Sequence, residues 1–135
     1  LNSSVTKHGK VRYMIYTDTM NATTFLKFVQ RLINDATQTI FLILDNLRVH
    51  HSYVVKEWLE NHKDEIELFF LPSYSPELNP DEYLNCDLKD GVHSGVPART
   101  KDQLGKKALS HLRMLQKKPK RVQKYFEHHK IAYAA

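Results

Sequence analysis

The chain has 135 residues, 41% hydrophobic and 26% charged, a balance that excludes wholesale disorder and suits one domain spanning 1–135 with a modest core. A single cysteine, Cys86, excludes an internal disulfide framework and favours a reducing compartment, and neither a membrane-length apolar run nor a signal-peptide core is present, so a cytoplasmic protein without a membrane partner is expected. The net charge of +5 is uneven, since residues 1–90 carry 9 Lys or Arg against 13 Asp or Glu while residues 91–135 carry 11 against 2.

In chain order, the β-branched and aromatic run at 11–17, preceded by His8-Gly9-Lys10, reads as a hairpin. Asn21 then stands as N-cap of a helix whose Phe25, Phe28, Val29, Leu32 and Ile33 recur at helical spacing. The continuous apolar run TIFLILD, 39–45, fits a strand buried on both faces, as in a parallel sheet. Ser52 caps a second helix with Val54, Val55, Trp58 and Leu59 as its apolar stripe. IELFFLP, 66–72, reads as another core strand. The connector SYSPELNP follows, then a helix from Pro80 to about Lys89, on which Cys86 reads as a packing residue. After the loop 91–99 comes a basic helical segment, broken near Pro119, so that 91–135 forms a C-terminal basic portion. Such a portion suits a polyanion such as DNA, chiefly through Lys106, Lys107, Lys117, Lys118, Lys120, Arg121 and Lys124, and equally suits a solvated helix face. Tyr125 and Phe126 read either as stacking groups for nucleic acid or as anchors of a terminal helix on the core.

The pattern mixes an antiparallel hairpin with helix-linked parallel strands, and sites in such sheets collect at the C-terminal ends of the parallel strands. Asp45 ends one of these strands and Glu82 lies just beyond the end of the next. Two carboxylates from separate elements suit a divalent metal with oxygen ligands. Both also have plain structural readings. Asn79-Pro80-Asp81-Glu82 makes a good helix start, with Asn at N-cap, Pro at N1 and Glu at N3.

The stretches LDNLRVHHS and LFFLPSYSPELNPDEYLNCDLK resemble the core of the DDE transposases of bacterial insertion sequences related to the mariner elements. In that family an Asp-Asn pair ends a strand, a His follows, and a Leu-Pro-x-Tyr-Ser-Pro-x-Leu-Asn-Pro-x-Glu stretch delivers the last catalytic acid. The second motif is complete here from Leu71 to Glu82. The resemblance implies an α/β, ribonuclease-H-like mixed sheet flanked by helices, with Asp45 and Glu82 as the second and third catalytic acids and metal ligands. Asn46 and His50 become substrate-contact candidates, and Asp81 takes the variable position. Three prolines, Pro72, Pro76 and Pro80, would fix the backbone leading to Glu82.

The resemblance also implies Mg²⁺ or Mn²⁺ as cofactor and DNA as partner, in metal-dependent DNA cleavage and strand transfer. The family's first acid and first strand lie ahead of the hairpin that opens this sequence. Among the acids before residue 50 only Asp18, at a strand end, is placed to substitute. A domain lacking the first strand and inactive as this chain alone is therefore expected. The alternative is a non-catalytic transposase remnant that binds DNA or self-associates. Unpaired edges of the hairpin and of strand 39–45 predict a homodimer.

Overall fold

The computed structural model describes residues 1–16 and 19–134. Asp18 lies outside the described residues. The α/β character expected from the sequence is observed. Backbone packing divides the chain into two compact units, one of Leu1, Ser3–Ile15 and Glu77–Ala135, the other of Asn2 and Tyr16–Pro76.

In the first unit, β1 (Asn2–Val5) and β2 (Val11–Met14) form a hairpin. Its turn is closed by Thr6 N–H donating to Lys10 O at 3.0 Å and Gly9 N–H to Thr6 O at 2.9 Å. Gly9 has φ +88°, a left-handed conformation, and a Cβ there would lie 2.2 Å from Pro119 O. Both facts demand glycine. The helices are α3 (Asp81–His93), α4 (Lys101–Gln116) and the short α5 (Pro119–Gln123). Thr100 caps α4 by accepting from Gln103 N–H. Leu84, Leu88, Val92, Leu112, Leu115, Val122 and Ile131 bury together with Val11 of the hairpin. Tyr125 and Phe126 are buried in the same cluster, so they anchor the C-terminal segment on the core instead of facing solvent. Cys86, in contrast, is exposed on α3; positions 84, 88 and 92 already supply that helix's buried stripe.

In the second unit, α1 (Ala22–Asp35) starts where Asn21 Oδ1 accepts from Thr24 N–H at 2.9 Å. β3 (Ile40–Leu44) and β4 (Ile66–Phe70) pair in parallel, with Ile40 opposite Ile66 and Leu44 opposite Phe70. Between them runs α2 (Tyr53–Glu60), capped by Ser52. Phe25, Val29, Leu44, Val55 and Ile66 form the core of this unit. Val54 does not join the stripe expected of α2; it is exposed.

The expectation that β3 is buried on both faces is not met. Its burial alternates, with Phe41 66% and Ile43 42% exposed. The side chains of α1 and α2 cover only the face that carries Leu42 and Leu44. The described strands form two separate two-stranded sheets, β1–β2 and β3–β4, where one mixed sheet was expected.

Candidate active site

β3 ends at Leu44, and Leu71 N–H donates to Leu44 O at 2.8 Å, so the parallel pairing runs one step past Phe70. Asp45 therefore leaves the sheet at its C-terminal end, where the backbone of parallel strands opens towards a ligand. Its side chain is 46% exposed. The next residues turn sharply into a 3₁₀ segment, Arg48–His51.

That turn brings His50 back beneath Asp45. The His50 ring is 6% exposed and lies against Phe25, with centroids 4.6 Å apart. Its Nδ1 sits 3.0 Å from Asp45 O and 3.7 Å from Asp45 Oδ1. Burial lowers the His50 pKa below its ordinary value of 6.5, and this outweighs the opposing pull of Asp45. The ring is thus neutral at pH 7. Its Nδ1–H donates to the Asp45 carbonyl, and the longer approach to the carboxylate is not an ion pair.

Asn46 is held from both ends. Its Nδ2 donates to Ser73 Oγ at 3.1 Å, and His51 Nε2–H donates to its Oδ1. The His51 ring in turn packs on Phe70, with centroids 4.3 Å apart. Asp45, Asn46 and His50 are therefore brought into one cluster at the end of the β3–β4 pair. Sequence reasoning missed His51 and Ser73 as its supports. The adjacent histidines and the serine after Pro72 were the only local signals.

The connector after β4 holds a further feature. Tyr74 has φ +56°, in the left-handed region, and its side chain is fully exposed. Such a backbone costs a tyrosine about 1–2 kcal/mol.

Glu82 occupies the first turn of α3, half-buried, in the other unit. The helix opens at Asp81, one residue later than expected for the first helical position. Asn79 Oδ1 accepts from Asp81 N–H at 3.0 Å, but the N-cap position falls on Pro80, one residue after the Asn79 read from the sequence. The two acids are used differently. Asp81 receives the Ser3 hydroxyl at 2.7 and 3.0 Å to its two oxygens, tying β1 to the start of α3.

A second polar cluster lies between α3, α4 and α5. Asp87 accepts from His111 Nε2 at 2.9 Å, Tyr125 OH at 2.6 Å, and Arg121 Nε and Nη2 at 2.9 and 2.5 Å. Burial alone would raise the Asp87 carboxyl, but the bonds from Arg121, Tyr125 and His111 hold it below its usual range. Burial, then the bond to Asp87, pushes the Tyr125 hydroxyl up. Gly91 makes room for this, since a Cβ there would lie 2.1 Å from His111 Nδ1.

This cluster bears on the basic residues. Arg121, a DNA-contact candidate, is committed to Asp87. Lys107, another, donates its Nζ to Ser94 O at 2.8 Å and Val96 O at 2.5 Å. Lys106, Lys117, Lys118, Lys120 and Lys124 are exposed.

Asp45 and Glu82 each offer hard carboxylate oxygen, a donor type that fits Mg²⁺ or Mn²⁺ better than a soft metal. Among the described residues, no group of three or more His, Cys, Asp or Glu converges on one point. Also among them, no helix is long and apolar enough to cross a membrane. The profile of the DDE superfamily endonuclease family matches residues 1–105. No curated protein matches the sequence.

Proposed function

Because the chain belongs to the DDE superfamily endonuclease family, we propose that it is part of a transposase catalytic domain, ribonuclease-H-like in fold, that acts on DNA in the cytoplasm by cleavage and strand transfer. One observation carries the reading. The acid that ends the apolar strand, Asp45, leaves the sheet with its carboxylate open, while the buried His50 holds its backbone and Asn46 is clamped beside it.

In this reading Asp45 and Glu82 are the metal ligands and catalytic acids. The chemistry that divalent ions supply to phosphodiesters is neutralisation of the scissile phosphate and activation of the attacking oxygen, first water and then a DNA 3′-hydroxyl. The remaining work belongs to the chain itself. His50 acts through Asp45 as a positioning residue: by engaging the Asp45 carbonyl it fixes where the strand end turns. Asn46, its amide and carbonyl both used, is a rigid neighbour to substrate phosphate. The proline connector limits the backbone freedom of the segment that delivers Glu82.

Self-association is supported by a separate observation. On β3–β4, Phe41, Ile43 and Phe69 are exposed on the face opposite Leu42 and Leu44, and β3 has a strand partner on one side only among the described residues. Apolar, half-paired strands of this kind favour a second copy, and we assign the homodimer contact to this face. Sedimentation should show the dimer lost on Phe41→Lys; a monomer in both proteins would remove this assignment.

Titration with Mn²⁺ tests the metal reading. Paramagnetic broadening should appear at the amides around Asp45 and Glu82 and vanish in Asp45→Asn. Broadening spread evenly over surface carboxylates would overturn it.

A further inference from the structure

The structure assigns a second binding surface: we propose that a shallow groove on α4 holds the sugar–phosphate backbone of duplex DNA. The groove encloses about 600 Å³ and is lined by Lys106, Leu109, Ser110, Arg113, Met114, Lys117 and Lys118. It lies beyond residue 105, outside the stretch matched by the endonuclease family. The proposal rests on the DNA-processing reading above, and specifies a different part of the chain from the acids.

Helical geometry makes the row. At about 100° per residue, positions 106, 113 and 117 fall within roughly 20° of one line along α4. They span about 16 Å of helix rise, against 3.4 Å per phosphate along each DNA strand, so the row faces about five phosphates. Among the described residues, no carboxylate lines the groove. Its floor is the half-buried aliphatic Leu109 and Met114, and Met114 packs against the core.

The lining also selects the form of nucleic acid. Single strands are held mainly by bases stacked on aromatic rings, and among the described residues none that lines the groove is aromatic. A row of cations over an aliphatic floor instead suits the continuous phosphate line of a duplex, without sequence preference. The basic residues thus divide by circumstance. Lys106, Lys117 and Lys118 are joined by Arg113, which charge counting alone did not single out. Lys107 and Arg121 are withheld by the Ser94 and Val96 carbonyls and by Asp87.

Fluorescence anisotropy with a labelled random-sequence duplex, in EDTA, tests this on the full 135-residue chain. With four phosphate contacts the affinity should fall about 150-fold between 50 and 200 mM salt, and only about 12-fold for R113Q/K117Q, which retains two. K106Q/K118Q should behave like R113Q/K117Q. The control K56Q/K63Q removes the same charge from exposed positions of the other unit and should keep the wild-type salt dependence. Equal salt dependence in all three doubles would overturn the groove. So would displacement of the duplex by polyglutamate at matched charge concentration, which would make this an acidic-peptide site. EDTA keeps the outcome separate from the metal reading: Mn²⁺ broadening at Asp45 and Glu82 can fail while the groove binds, and the reverse.

Discussion

Replacing Asp87 by Asn probes the network that ties α3 to α4 and to the C-terminal segment. The substitution preserves volume but leaves one acceptor oxygen, and it adds two N–H groups to a site already filled with donors. Bonds to a charged group contribute about 1.5–3 kcal/mol each. The Arg121 side chain is 46% exposed, so water recovers most of its loss and it counts for under about 1 kcal/mol. The His111 ring, 12% exposed, and the buried Tyr125 hydroxyl have no such recourse. Losing one of these two bonds and weakening the other puts the total cost at about 2–4 kcal/mol.

Urea titration followed by far-ultraviolet circular dichroism should show that loss as a lower midpoint with an unchanged slope. Acid supplies an independent check. The folded Asp87 carboxyl titrates below its ordinary 3.8, so the unfolded chain takes up its proton first. Its contribution is present above that ordinary value and disappears as pH falls towards the depressed folded one. The variant should lack this component. A cost under about 1 kcal/mol at pH 7, or equal acid sensitivity in both proteins, would mean the cluster behaves as screened surface charge.

Gly9→Ala should destabilise by about 1–3 kcal/mol in thermal melts, because it adds left-handed strain and a collision with Pro119 O. At Tyr74, with φ +56° and full exposure, Asn should be neutral or slightly stabilising, whereas β-branched Val should cost about 1 kcal/mol or more; the same melts distinguish them. Since burial lowers the His50 pKa, the unfolded chain binds its proton near 6.5 while the folded chain does not. Wild-type stability should therefore decline as pH falls below that value, by more than in His50→Gln. The 135-residue chain by itself should show negligible plasmid cleavage with Mg²⁺ or Mn²⁺, as it carries two acids in motif positions; cleavage abolished by Asp45→Ala would refute that.

Local chemistry is what the sequence alone determined. The Asn21 and Ser52 caps, the Gly9 turn, the parallel strand pair and the stripe of α1 were all legible, because each depends on residues a few positions apart. The motif from Leu71 to Glu82 was legible for the same reason. Packing between distant segments had no such signal. TIFLILD reads as buried throughout, yet only one face of β3 found helices to cover it, since burial depends on neighbours that an apolar run does not specify. Arg121 and Lys107 read as free basic charges until Asp87, 34 positions away from Arg121, and the 94–96 loop claimed them. Charge counts have no knowledge of partners. His50, polar and in a loop, was buried by the turn that carries it under Asp45, against Phe25 from another helix. Tertiary structure decided these points because hydrogen bonds and desolvation act through space, between residues whose proximity only the folded chain creates.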